Sequence, residues 1–307
     1  MSENLRIAVI GAGLMGHGIA LVLARAGWHV AIHDPHEETL ASAPTRIAEG
    51  LELLGAGGTD IARTLKNIEP CHSIAATVNG AAFVFEAAPE KLELKRRIFA
   101  EVEDHASAEA VLASNTSVIR ISRIMEGLKH RERALGAHWW NPPHMIPLVE
   151  IVRTEWTGTD VANRMTELLA DAGKTPVIVE KDIPGFIGNR LQHALWREAI
   201  GLVENGVCDA EAVDTVVKSS FGRRLAVLGP LENADLVGTD LTLDIHENVL
   251  FDLENGRGPS PYLERLVKDG RLGMKSGEGF REWTVDEAKA VRSRVGRYLT
   301  RLETILD

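Results

Sequence analysis

Cysteine is nearly absent from this chain: Cys71 and Cys208 are the only two in 307 residues, far apart and too few for a disulfide framework or a paired-cysteine metal site. Free thiols in a reducing compartment follow from that. The eleven histidines are scattered, so no metal is expected. No basic stripe occurs, and a formal charge of -10 argues against a nucleic-acid partner. Apolar runs of membrane-spanning length are also missing. A strand-like run from Leu5 to Ile10 begins almost at once, which leaves no room for a signal peptide and makes the cytoplasm the expected location.

What is present suits a two-domain globular protein, with 45% hydrophobic and 25% charged residues. Through about residue 182 short apolar runs alternate with helical segments, the pattern of a parallel sheet wound with helices. The clearest strands are Arg6 to Ile10, His29 to His33, Ala82 to Glu86, Ala110 to Ala113, Ala134 to His138, Ile146 to Val152 and Pro176 to Val179. From Ile183 onward strand signals vanish. Asp182-Ile183-Pro184-Gly185 can cap and open a long helix, and further helices are predicted at Ala210 to Ser219, Glu232 to Leu250 and Asp286 to Leu306. The expected organisation is therefore α/β: a Rossmann-type doubly wound sheet over 1–182, then an all-α domain over 183–307.

Gly11-Ala12-Gly13-Leu14-Met15-Gly16 follows the first strand and precedes a helix-compatible run, Ile19 to Ala26. In that context the first glycine makes the turn, the second lets the backbone approach a pyrophosphate, and the third packs helix on strand. The helix N-terminus then holds the anion. Asp34 closes the second strand, where a carboxylate accepts hydrogen bonds from an adenosine ribose and repels a 2'-phosphate. No arginine follows it at once, so NAD is favoured over NADP. A glycine turn in a nucleotide-free doubly wound fold is the bland alternative.

A second constellation joins His138-Trp139-Trp140-Asn141-Pro142-Pro143 to the run Ile146 to Val152. Alternate strand residues share a face, so Glu150 lies with Ile146, Leu148 and Val152. A lone carboxylate buried there costs several kcal/mol by order of magnitude and calls for a partner. The tight turn can return His138 beside it, and a carboxylate-oriented histidine is a general base. An edge carboxylate and a satisfied core histidine would leave the same sequence.

Four ordered segments resemble the 3-hydroxyacyl-CoA dehydrogenase family: Gly11 to Ala20, Ser114-Asn115-Thr116-Ser117, the His138 to Glu150 unit, and Pro184 to Arg190. A fifth, Gly273 to Phe280, looks like the family's C-terminal signature. The resemblance implies an NAD-binding domain followed by a helical domain that contributes to the substrate cleft and mediates dimerisation. It implies His138 as base, Glu150 as its orienting carboxylate, Ser117 and Asn189 as polar contacts to the reacting oxygen or nearby substrate, and Asn141 as support for the site. Glu90 and Lys95 match family positions near the nicotinamide end of the cofactor.

The acyl-CoA enzymes of the family carry a lysine-rich excursion after the second strand that meets the CoA phosphates. Here the span His36 to Pro70 has only Arg46, Arg63 and Lys66 among six acidic residues: Glu37, Glu38, Glu49, Glu52, Asp60 and Glu69. A small free 3-hydroxy acid is the expected substrate, with a 3-hydroxyacyl-CoA as the alternative. Asn189 to Gln192, Leu202 to Gly206 and Arg224 to Glu232 resemble the L-gulonate 3-dehydrogenase (lambda-crystallin) branch of the family. Arg224, entering an apolar segment, suits a bidentate clamp for a substrate carboxylate or an ion pair across a dimer interface. Trp139 and Trp140 suit either space-filling behind the turn or stacking on a planar ring or a cation. The ring option fits a likeness of His138 to His144 to a pyridine-aldehyde dehydrogenase of vitamin B6 breakdown, and makes His144 a further candidate, with an exposed turn histidine as the simpler alternative. A non-catalytic, crystallin-like role would have no need of Ser117, His138, Glu150 and Asn189 together.

Overall fold

The computed structural model describes residues 5–306. It divides into two compact units, Met1–Arg190 and Leu191–Asp307. In the first, the strands β1 (Arg6–Ile10), β2 (His29–His33), β3 (Ile68–Cys71), β4 (Phe83–Glu86), β5 (Val111–Ser114), β6 (Ala134–Trp139), β7 (Leu148–Val152) and β8 (Thr175–Val179) form one sheet. Their spatial order is β3-β2-β1-β4-β5-β6-β7-β8. All neighbours are parallel except the hairpin β6–β7. Between them run α1 (Gly16–Arg25), α2 (Glu37–Ala41), α3 (Ala43–Leu53), α4 (Gly58–Lys66), α5 (Ile74–Val78), α6 (Leu92–His105), α7 (Ile121–Met125) and α8 (Thr159–Asp171).

The sheet is buried on both faces, which is why its central strands read as unbroken apolar runs. Along β1 the side chains alternate: Ile7 and Val9 join a core with α1, α3 and α8, while Ala8 and Ile10 join another with α5, α6 and α7. The order reverses between β1 and β4, so their C-terminal ends flank the crevice where a doubly wound sheet takes a dinucleotide.

β3 escaped the sequence reading because Ile68-Glu69-Pro70-Cys71 is a polar, proline-bearing edge strand with no alternation to detect. The helix expected to open at Asp182 starts instead at Gly188 and forms α9 (Gly188–Glu204). Phe186 takes a left-handed conformation, and Asp182 is spent elsewhere: its carboxylate accepts the N–H groups of Ile121 and Ser122 at the start of α7.

The regular elements of unit 2 are helices, α10 (Ala210–Ser219), α11 (Pro230–Val237), α12 (Thr239–Val249), α13 (Pro261–Lys268) and α14 (Val285–Leu306), beside the isolated bridges Gly273–Glu278 and Glu278–Glu282. The single helix expected over Glu232 to Leu250 is two, because Gly238 at φ 102° breaks it. Among the described residues no helix is long and apolar enough to cross a membrane.

Candidate active site

The glycine-rich turn is built as its spacing predicts. Gly11 has φ 100°, and a Cβ there would lie 2.7 Å from the Ala87 carbonyl oxygen; one on Gly16 would lie 1.7 Å from that of Gly11. Gly13 faces open space. Leu14 is exposed and Met15 half-buried at the head of α1. The Ala12 and Gly13 carbonyls are taken by the Arg46 guanidinium (2.7 Å) and by His17 Nδ1 (2.7 Å). Asp34 Oδ2 accepts the Ala12 N–H at 2.9 Å and Oδ1 the His36 N–H at 2.9 Å. The carboxylate is thus fixed beside the turn, with lone pairs left to accept ribose hydroxyls. The open face at Gly13 and the anchored acid fit a dinucleotide without a 2'-phosphate.

His138 and Glu150 are register partners across the antiparallel β6–β7 pair, so the turn does return the histidine to the acid. His138 Nδ1 lies 2.7 Å from Glu150 Oε2, both side chains being buried. The other oxygen, Oε1, accepts the N–H groups of Ile187 (2.9 Å) and Gly188 (3.0 Å), at the start of α9. Burial pushes the Glu150 carboxyl up, but the hydrogen bonds from His138, Gly188 and Ile187 outweigh it and hold the group below the usual carboxylate range. With Nδ1–H directed at Glu150, Nε2 is the ring's remaining proton acceptor. The imidazole packs against Trp140 and Phe186, with ring centroids at 5.2 and 5.5 Å.

His138 lines a pocket of 330 Å³ at the C-terminal ends of the central strands, with Met15, Ala88, Glu90, Asn115, Ser117, Trp140, Asn141 and Asn189. Asn189 Nδ2 donates to the Ser117 carbonyl (2.9 Å), and Asn115 Oδ1 accepts the Trp139 N–H (2.8 Å). Glu90 accepts the N–H groups of Ser117 and Val118 and the Thr116 hydroxyl. Burial raises its carboxyl pKa; Thr116, Lys95 and the two N–H groups bring it below the ordinary value.

Not every sequence candidate reaches this pocket. Lys95 is fully buried behind it, held by Glu86 and near Glu90. Both tryptophans reach the pocket lining, but Trp139 is otherwise core, buried edge-on to Phe85, whereas Trp140 packs its indole against His138. His144 is half-buried rather than an exposed turn residue, with Nδ1 buried and without a hydrogen bond, and it does not line the pocket. Arg224 lies exposed in unit 2, just after a short 3-10 turn, Phe221–Arg223. Asn115, in the pocket lining, and Glu86, which holds Lys95, are given no role by the sequence pattern. Glu86 carried a readable signal, an acid ending the apolar strand Phe83-Val84-Phe85, the same signal that exposed Glu150.

Residues 6–183 match the NAD-binding domain of 3-hydroxyacyl-CoA dehydrogenase, and residues 185–283 match its C-terminal domain. The chain belongs to the 3-hydroxyacyl-CoA dehydrogenase family. It is accordingly an NAD-dependent oxidoreductase. Among its relatives, 5-formyl-3-hydroxy-2-methylpyridine 4-carboxylate 5-dehydrogenase of Mesorhizobium japonicum is 33% identical over 302 residues, 98% of either chain. A crystal structure of an enzyme of that name, described as an NAD+ dependent dismutase, superposes with TM-score 0.91 over 100% of this chain and 99% of that one, at 33% identity. Human mitochondrial hydroxyacyl-coenzyme A dehydrogenase is 36% identical over 288 residues, 89% of this chain and 90% of that protein. The human lambda-crystallin homolog is 34% identical over 235 residues, 75% of this chain and 74% of the homolog.

Proposed function

We propose that this protein oxidises the hydroxyl of a small 3-hydroxy carboxylic acid, with His138 as general base and Glu150 as its orienting carboxylate. The observation that carries this reading is the buried His138–Glu150 pair, pinned by two backbone N–H groups, with its imidazole in the pocket wall. When bound, oxidised nicotinamide supplies the hydride acceptor. His138 Nε2 takes the hydroxyl proton, and Glu150 holds the ring's tautomer and stabilises the imidazolium that results. Ser117, Asn115 and Asn189 offer polar contacts to the reacting oxygen, and Asn141 supports the turn. Gly11, Gly13, Leu14, Met15, Gly16 and Asp34 would hold the cofactor, with Glu90 and the Lys95 behind it at the nicotinamide end.

Two facts favour a free acid over a CoA ester. Arg46 is spent on the Ala12 and Thr39 carbonyls, and Arg63 pairs with Asp60 at 3.0 Å. That leaves Lys66 in an acidic span, a poor cradle for CoA phosphates. Arg224 is our candidate for the substrate carboxylate, its alternative being an ion pair between copies. A second reading, dehydrogenation of a pyridine carboxylate, is favoured by Trp140, whose indole forms pocket wall beside His138, and by the end-to-end similarity to the Mesorhizobium japonicum protein. We also read the protein as a cytoplasmic homodimer.

The test is NADH formation with a panel of 3-hydroxy acids, sugar acids, pyridine acids and 3-hydroxybutyryl-CoA. Turnover of a free acid and not of the ester is expected. His138→Ala should then lose ~10²-fold to ~10⁴-fold in kcat while NAD still binds. Near-native turnover by that variant would end the assignment of the base; turnover of the ester alone would end the small-acid reading.

A further inference from the structure

Behind the pocket, at the C-terminal ends of β4 and β5, lies a buried ionic cluster that the proton transfer does not use. Glu86 is 0% exposed and Lys95 1%. Lys95 Nζ donates to Glu86 Oε1 (2.8 Å) and to the Ala88 carbonyl (3.2 Å), and stands 3.4 Å from Glu90 Oε2. Glu86 Oε1 also accepts the Ala88 N–H (2.7 Å), and Oε2 accepts the Ser114 hydroxyl (2.6 Å). Both Glu86 oxygens are therefore met by donors, as a carboxylate requires. Two carboxylates and one ammonium leave a formal charge of -1.

The cluster's place gives that charge a target. Asp34 and the glycine turn would hold the adenosine and pyrophosphate on the β2 and β1 side of the crevice, so that a dinucleotide laid across the switch point would bring its other end over β4 and β5. Ala88 and Glu90, both tied to Lys95, line the pocket that holds His138. The nicotinamide ring is a cation when oxidised and neutral when reduced. A fixed negative charge in a dry, low-dielectric wall attracts only the first.

We infer that the Glu86–Lys95–Glu90 cluster is a charge-selecting wall, through which the buried Glu86 carboxylate makes the site prefer oxidised over reduced nicotinamide. The consequence is release of the reduced cofactor favoured over its retention. Glu86 touches neither substrate nor the reacting atoms; its contribution is a field.

The experiment is calorimetric titration of the full-length protein with NAD+, NADH and ADP-ribose, the last lacking the nicotinamide. In Glu86→Gln, nearly isosteric, the ratio Kd(NADH)/Kd(NAD+) is expected to fall by ~3-fold to ~10-fold, with ADP-ribose affinity unchanged. Lys95→Met raises the ratio, and the double variant E86Q/K95M, whose formal charge is again -1, returns it to the wild-type value. The step from K95M to E86Q/K95M removes the same single charge, so it reads the same quantity if E86Q alone fails to fold. Exchange of a buried ion pair for neutral groups is often tolerated, which favours recovery of the double variant. An unchanged ratio in E86Q, or equal weakening of all three ligands, would overturn the inference and leave the cluster as a brace for the loops after β4 and β5.

Discussion

Two histidines of this chain lie six residues apart in sequence and differ in what surrounds them. His138 has a carboxylate on Nδ1; His144 has none, and its pKa is held down to about 4 by burial, with the positive charges of His17 and Lys174 adding to the effect. In the unfolded chain His144 titrates at its ordinary value of 6.5. Between those two values the unfolded state binds more protons, so stability rises with pH across the window and is lost as pH falls through it. His144→Gln removes that slope. Urea unfolding at about pH 5 and about pH 7 should show a smaller stability difference in the variant than in the wild type, and an unchanged difference would place the acid sensitivity elsewhere. Legibility also differed residue by residue. Glu150 stood out as an acid on an apolar strand with a histidine within reach of a turn, whereas Glu86 had no nearby cation in an obvious register. Its Lys95 partner is one helical turn into α6, beyond a loop that the sequence does not fold.

At the scale of elements, the pocket depends on how α9 begins. A Cβ on Gly188 would sit 2.3 Å from Trp140 Cζ2, so the helix start can approach the indole only because residue 188 is glycine. The same residue's N–H holds Glu150. Gly188→Ala is therefore expected to displace Trp140 and loosen the carboxylate's anchor, at an overpacking cost of ~1–3 kcal/mol in urea unfolding. Its kcat should drop by ~10-fold or more while NAD affinity holds, because the glycine turn is untouched. Equal kcat would mean that the anchor contributes nothing to the base. The element boundary itself was misread: proline and glycine after Asp182 look like a helix start, but Asp182 caps α7, and a left-handed Phe186 delays α9 to Gly188. Capping residues identify a cap without saying which helix they cap.

For the whole molecule, unit 2 sets the expectation. Its helices α10, α11 and α12 bury no residue within the chain, and Leu231, Leu236 and Phe251 are 80%, 73% and 81% exposed. Apolar surface on that scale calls for a cover, and a second copy of this 33.5 kDa chain is the reading proposed above. Sedimentation equilibrium should report a dimer that persists in high salt, since apolar burial is not screened; a monomer at micromolar concentration would refute it. The sequence by itself determined the doubly wound architecture, the glycine-rich turn, the acid that follows β2 and the pairing of His138 with Glu150, because each is written in residues close along the chain or in the two-residue period of a strand. Tertiary structure decided the rest. The N–H groups of Ile187 and Gly188 on Glu150, the Asn115 bond to the Trp139 backbone and the Glu86–Lys95–Glu90 cluster join segments apart in the chain. Which segments meet is set by strand order and register, which local periodicity does not encode.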